Sequence, residues 1–188
     1  MKSIIDILKD TEALLEGHFL LSSGKHSKEY VQCAKVLSHP QYAEQVLNPV
    51  VDKVKSLDID ILVGPAMGGI IVAYEMGRQL EKQAIFTERK DNEMTLRRGF
   101  QIEKGQRVLI TEDVVTTGKS TMETKKVIES LGGIVIGVAS IVDRTGGKSE
   151  LDIPLYSAIS LQIDTYDNEN CPMCKEGKEA VKPGSRKL

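Results

Sequence analysis

Val108-Leu-Ile-Thr-Glu-Asp-Val-Val-Thr-Thr-Gly-Lys-Ser120 joins an apolar, β-branched run to two adjacent acids and then to a small, hydroxyl-rich loop. The run from Arg107 to Thr111 predicts a buried strand that delivers Glu112 and Asp113 to its C-terminal edge. Val114 to Gly118 predicts a short loop, and a helix follows from about Lys119 to Leu131, closed by Gly132-Gly133. Backbone N–H groups of such a loop, together with the helix N-terminus, make a site for a phosphate dianion. Thr116, Thr117 and Ser120 add hydroxyl donors, and Gly118 lets the backbone come close. Two carboxylates beside a phosphate site suit a sugar phosphate, whose neighbouring ribose hydroxyls they can accept as hydrogen bonds. The segment is not a Walker loop, because the Gly-x4-Gly-Lys-Ser/Thr spacing is missing on its N-terminal side.

Outward from this segment the periodicity keeps alternating. Ile59 to Val63 predicts a strand ended by Gly64-Pro65, Ile70 to Lys82 a helix, and Ala84 to Thr87 another strand. Ile134 to Val142 and Pro154 to Ile163 supply two more strands. Strands alternating with helices of about 12–15 residues predict a parallel, doubly wound α/β sheet. Ile4, Ile7, Leu8, Thr11, Leu14 and Leu15 predict an amphipathic helix over 4–15, ended by Gly17, with a turn-rich stretch from His18 to Tyr30. Ala43 to Leu57 predicts a helix beginning at Pro40, and Pro49 inside it predicts a kink or two abutting helices. The polar, basic segment 89–104 predicts a short hairpin or mobile flap centred on Arg97-Arg98. From Asp164 the composition turns polar, which predicts a C-terminal tail over 165–188.

A chain of 188 residues fits one domain at roughly 150 residues each. Its 25 basic and 27 acidic side chains leave no overall basic field for nucleic acid. The longest uncharged run, Ile61 to Tyr74, is shorter than the ~20 residues a membrane helix needs. Asp6, Lys9 and Asp10 arrive too early for a secretory signal. A cytoplasmic protein with neither a membrane nor a nucleic-acid partner is expected. Three cysteines, an odd number, do not make a disulfide framework. Cys171-Pro-Met-Cys174 is half of a structural zinc site, but only Cys33, His18, His26 and His39 remain to complete it, and the histidine spacing matches no metal motif. The expectation is a plain or redox-sensitive tail with no metal held by the protein; pairing of Cys171 with Cys174 as a disulfide stays open.

The stretch 108–120 resembles the phosphoribosyl-diphosphate signature of type I phosphoribosyltransferases. Three further places, Gly17-His-Phe-Leu-Leu-Ser-Ser-Gly-Lys-His-Ser27, Gly64-Pro-Ala-Met-Gly-Gly69 and Val142-Asp-Arg144, resemble those members of the family whose acceptor is orotate. The resemblance covers residues from about 10 to 165. It implies a single domain with a mainly parallel, doubly wound sheet, a small N-terminal hood (1–35) and a flexible flap (89–104). It implies that Glu112 and Asp113 hold the ribose hydroxyls and face the reacting carbon. By the same resemblance, Val114, Val115, Thr116, Thr117, Gly118, Lys119 and Ser120 surround the 5-phosphate. Met67, Gly68, Arg89 and Lys90 then take the pyrophosphate, and Arg97 and Arg98 are the flap's catalytic cations. Thr116, Arg144, Ser22 and Tyr30 take the orotate. Mg2+ held mainly by substrate and water, and a homodimer with active sites shared across the interface, complete what the resemblance implies. A purine-type member would share 108–120 but lack the 17–27 element. A non-catalytic sensor of the diphosphate donor would need a DNA-binding domain or a basic face.

Overall fold

The computed structural model describes residues 2–21, 23–147 and 151–183. Ser3 caps α1 (Ile4–Asp10): its hydroxyl accepts the Asp6 N–H, and the Asp6 carboxylate accepts the Ser3 N–H. The helix stops at Asp10 rather than Leu15. Glu12 takes φ 55° and the Ala13 N–H turns back to the Leu8 carbonyl at 2.7 Å, which closes the last turn. Leu14 and Leu15 therefore open β1 (Leu14–Leu20), which pairs antiparallel with β2 (His26–Val31). The stretch expected to be rich in turns is mostly this hairpin.

After α2 (Ala34–Leu37), Pro40 occupies the first turn of α3 (Pro40–Val54), a single continuous helix in spite of Pro49. An interior proline costs about 3 kcal/mol. Burial of Ala43, Val46, Leu47, Val50 and Val54 along one face outweighs that, at roughly 1.5–3 kcal/mol for each large side chain.

The chain then builds β3 (Ile61–Pro65), α4 (Gly68–Leu80), β4 (Gln83–Lys90), β5 (Glu93–Leu96), β6 (Arg107–Val115), α5 (Lys119–Ser130), β7 (Ile134–Asp143) and β8 (Leu155–Ser160). Their sheet runs β5-β4-β3-β6-β7-β8 and is parallel except for β5. Leu62, Leu109, Ala139 and Ile141 face the core made with α1, α3 and α4. Ile61, Val63, Ile85, Val108, Ile110 and Val138 face the opposite core, where α5 contributes Ile128. Both faces are covered, so these strands are continuous apolar runs. From β3 the chain steps outward to β4 and later returns to β6 on the other side of β3. The crevice between the loops after β3 and β6 is the switch point where ligands bind in such sheets.

The β4–β5 hairpin turns at Asp91 and Asn92, with φ of 52° and 65°. The turn was expected at Arg97-Arg98; Asp and Asn tolerate the left-handed conformation that a two-residue hairpin loop requires, and so they take the tip. The two arginines follow β5 in a second turn.

Residues 165–183 are no free tail. β9 (Thr165–Tyr166) pairs with β2, placing Tyr166 opposite His26. A 3-10 turn at Asn168–Asn170 and α6 (Pro172–Lys175) follow, with Cys171 and Met173 buried. Val181 bonds β1 from both sides, its N–H donating to the His18 carbonyl (2.8 Å) and its carbonyl accepting from the Leu20 N–H (2.9 Å). Main-chain hydrogen bonds do most of this attachment, which a polar composition does not betray. Residues 184–188 of the expected tail lie outside the described residues.

Candidate active site

Parallel register sets Val63 beside both Ile85 and Ile110, and Val115 beside Asp143. The loops after β3, β4, β6 and β7 consequently leave one edge of the sheet together. The loop after β3 folds tightly against β6. A Cβ on Gly64 would lie 2.0 Å from the Gly69 carbonyl oxygen, and one on Gly69 would lie 2.6 Å from that of Thr111. The Thr111 hydroxyl donates to the Gly69 carbonyl at 3.1 Å, and the Ala66–Met67 peptide within the loop is cis. Met67 is 81% exposed at the loop's tip, while Gly68 begins α4.

Glu112 and Asp113 sit inside β6, not in the loop beyond it. Successive strand residues point to opposite faces. Glu112 accordingly meets the Thr121 hydroxyl of α5 at 3.5 Å, whereas Asp113 lies against Gly68. Burial, and then the neighbouring Asp113 charge, push the Glu112 carboxyl up to about 8. Burial also raises Asp113, opposed by the Val114 N–H that donates to Oδ1 at 2.9 Å. In the free protein at neutral pH, Glu112 thus mostly keeps its proton.

Val114 and Val115 end the strand, and exposed Thr116 and Thr117 lead to Gly118, whose φ of 69° caps α5. Glu112 and residues 114–121 line a small cavity of about 80 Å³. Lys119 is exposed, with its Nζ 4.0 Å from Glu123, and Ser120 lies in the first turn of α5.

Past β7, the Asp143 carboxylate anchors the next loop. It accepts from the Thr145 N–H (2.7 Å) and hydroxyl (2.6 Å), the Gly147 N–H (3.2 Å) and the Ser160 hydroxyl (3.1 Å). The Arg144 N–H donates to the Val115 carbonyl at 2.9 Å, which puts Arg144 beside Thr116. The Arg144 Nε is buried, with no hydrogen-bond partner among the described residues. Burial pulls its guanidinium below the ordinary value, while Tyr30 and Glu29 of β2 pull the other way. Arg144, Thr145, Gly146 and residues 162–165 line a cleft of about 330 Å³. Ser22 lies outside the described residues. Asp143 was legible only as part of a motif, although an Asp two residues before Thr145 and four before Gly147 is the pattern of a side-chain-closed turn.

The basic residues of segment 89–104 are mostly engaged. Arg89 bonds the Asn92 carbonyl (3.1 Å) and the Glu123 carboxylate. Arg97 and Arg98 both reach Glu88, at 3.4 and 3.1 Å, and Arg98 lies over the Phe86 ring. Lys90 is exposed at the end of β4. The structure thus gathers Glu112, Asp113, Gly68, the 114–120 loop and Arg144 at one edge, and holds Arg97 and Arg98 on their own hairpin.

An orotate phosphoribosyltransferase of Caldanaerobacter subterraneus subsp. tengcongensis is 54% identical over 187 residues, covering 100% of this chain and 98% of its own. The crystal structure of orotate phosphoribosyltransferase from Aeropyrum pernix superposes with a TM-score of 0.73 at 26% identity, covering 85% of this chain and 94% of that one. Adenine phosphoribosyltransferase from Rhodothermus marinus shares the fold, with a TM-score of 0.64 at 21% identity over 84% of this chain and 99% of that one. The sequence family described as the phosphoribosyl transferase domain matches residues 35–174. That match takes in every loop on the site's edge of the sheet, and the chain belongs to the phosphoribosyltransferase family.

Proposed function

We propose that this protein transfers the phosphoribosyl group of 5-phosphoribosyl 1-diphosphate to orotate, giving orotidine 5′-phosphate and pyrophosphate for pyrimidine nucleotide synthesis. The fold does not select the base, since an adenine enzyme shares it. The observation that carries the choice is the buried Arg144 Nε, without a hydrogen-bond partner among the described residues, beside Thr116 and close to Tyr30. A partly desolvated guanidinium calls for an anion, and orotate brings a carboxylate where purines bring none. The close relationship to an orotate enzyme supports the same acceptor.

In this reading the 5-phosphate occupies the loop cavity, held by the N–H groups of residues 116–120 and by the Thr116, Thr117 and Ser120 hydroxyls. The diphosphate lies along the loop from Gly64 to Gly69. Glu112 and Asp113 take the ribose hydroxyls from the two faces of β6. As pyrophosphate leaves, positive charge grows on the ribose ring, and the carboxylate of Asp113 stabilises it from a fixed position. Orotate N1 is itself the nucleophile, so no side chain needs to attack. The Asp113 carboxylate faces Gly68 of the glycine loop, and a carboxylate oxygen suits a hard cation. Mg2+ would be held chiefly by the diphosphate and water, with Asp113 the protein group within reach. When bound, it neutralises charge on the departing pyrophosphate. Arg89, Lys90, Arg97 and Arg98 serve the same anion once the hairpin closes and excludes water.

The reading includes a homodimer whose hairpins complete each other's sites. Exposed Ile71 and Tyr74 on α4 support a second copy as the occupant of that face. No helix among the described residues is long and apolar enough to cross a membrane; a cytoplasmic location belongs to the same reading. The test offers orotate, uracil, hypoxanthine and adenine in turn, with the diphosphate donor and Mg2+. Orotate alone should be consumed. Turnover of a purine in its place overturns the assignment.

A further inference from the structure

His18 of β1, His26 of β2, Cys171 before α6 and Cys174 within it converge at the end of the hairpin, where phosphoribosyl transfer gives them nothing to do. One ligand atom from each of His18, His26, Cys171 and Cys174 lies within 4.8 Å of all the others. The His18 Nε2 stands 3.5 Å from the Cys171 Sγ and 3.7 Å from the Cys174 Sγ, and the Cys174 Sγ stands 3.3 Å from the His26 Nδ1. A tetrahedral ion with bonds of about 2.0–2.3 Å sets neighbouring N and S ligands roughly 3.3–3.8 Å apart. The separation between the His18 Nε2 and the His26 Nδ1, 2.6 Å, is shorter than this, so the two rings must part by a few tenths of an ångström or more to admit the ion.

The surroundings are those of a ligand set. Both histidines and Cys171 are buried. The His18 Nδ1 lies 2.8 Å from the Lys178 carbonyl, which can only accept, so the proton sits on Nδ1 and the Nε2 lone pair faces the cluster. A backbone carbonyl that fixes the tautomer in this way is the usual outer partner of a metal-bound histidine. Two thiols and two imidazoles, with no carboxylate, suit zinc and neither magnesium nor calcium.

We propose that His18, His26, Cys171 and Cys174 bind one structural Zn2+. Binding releases the two thiol protons and leaves a neutral site, because two thiolates balance the ion. The ion ties β1 and β2, on either side of their connection, to the segment after β9. That connection belongs to the hood expected to cover the base, so the ion would fix the two strands that carry it. Sequence spacing hides the site because His18 and Cys171 are 153 positions apart. The expectation of a half-site without partners is thereby replaced. The metal assignment stands independently of the acceptor assigned above.

The test is metal content and Co2+ spectroscopy of the full chain purified with its thiols reduced. The expected result is about one zinc per chain, replaceable by Co2+ with the intense visible absorption of a tetrahedral thiolate complex. Cys174→Ser and His18→Ala should bring the content near zero, whereas His39→Ala, outside the cluster, should retain it. Should the variants fail to fold, titration of the wild-type chain decides alone. A reduced wild-type chain that takes up no Co2+ or Zn2+ stoichiometrically overturns the proposal. So does a Co2+ spectrum without thiolate character, or a Cys171–Cys174 disulfide that, once reduced, binds no metal.

Discussion

The Asp113 carboxylate rests directly on Gly68, so closely that a Cβ at position 68 would stand 2.4 Å from the Asp113 Cγ and 2.5 Å from its Oδ2. One residue opens α4 and the other lies within β6, two residues from its end. The contact therefore locks the loop assigned to pyrophosphate against the acid assigned to the ribose. Only a residue without a side chain permits it.

Gly68→Ala should separate stability from activity. Gly68 begins α4 without a positive φ, so alanine there gains about 0.4–1 kcal/mol by restricting the unfolded chain, and the short Asp113 side chain can rotate away from the new methyl. The melting temperature should hold or rise, while turnover falls by roughly 10–10³-fold, comparable with misplacing one preorganised charge. Thermal melts beside steady-state kinetics read both quantities. A variant with unchanged turnover would show that Asp113 does not need its place against position 68.

What the sequence discloses and what it hides divide along physical lines. The strands around Val108–Ile110 and Ile61–Val63 are legible because burial on both faces leaves no polar position. The acids and the 114–120 loop are legible because their residue types carry the chemistry. The end of α1 is not: Leu14 and Leu15 continue the helical spacing by coincidence, and the helix is closed by backbone bonds around Glu12. The convergence of His18 and His26 with Cys171 and Cys174 arises only once β9 pairs with β2. Neither event has a local periodic signal.

Glu112 should make the free protein's stability depend on pH. Its carboxyl lies at about 8 when folded against an ordinary 4.5, so between those values the folded chain keeps a proton that the unfolded chain has lost. The contribution is full below about pH 4.5 and is lost as pH rises through about 8, by roughly 2–5 kcal/mol. Chemical denaturation at about pH 5 and about pH 8.5 should show wild type losing more stability than Glu112→Gln. Parallel losses in the two proteins would remove Glu112 as the source. Donor binding that needs the carboxylate should also release protons at neutral pH, measurable by calorimetry in buffers of different ionisation enthalpy.

Arg144 should carry orotate affinity at the expense of stability. Its Nε is desolvated and has no partner among the described residues, so Arg144→Ala relieves a cost and should leave the melting temperature equal or higher. A guanidinium–carboxylate pair contributes on the order of 2–3 kcal/mol, so the KM for orotate should rise about 30–150-fold. The KM for the diphosphate donor should change little. Lysine, lacking the planar fork, should not restore binding. Unchanged orotate kinetics in the alanine variant would place the acceptor elsewhere.

The hairpin arginines should act across a dimer. Arg97 and Arg98 are held on the largely buried Glu88 of their own hairpin, but their own ends are exposed and free to swing to a phosphate. In a two-fold dimer each hairpin can reach the neighbouring site, and the exchange is reciprocal. An Asp113→Asn protein lacks the acid, and an Arg97→Ala/Arg98→Ala protein lacks the cations; each alone should be slowed on the order of 10²–10³-fold. Mixing them allows a dimer in which one site has both an intact acid and an intact partner hairpin. Activity should then rise well above either parent, towards a quarter of wild type if subunits exchange at random. Light scattering and differential tags verify that mixed dimers form. If they form and no activity returns, the hairpin serves its own subunit or other cations do the work. Repeating the mixture with Arg89→Ala/Lys90→Ala separates these outcomes, since recovery with that pair alone transfers the role to the end of β4.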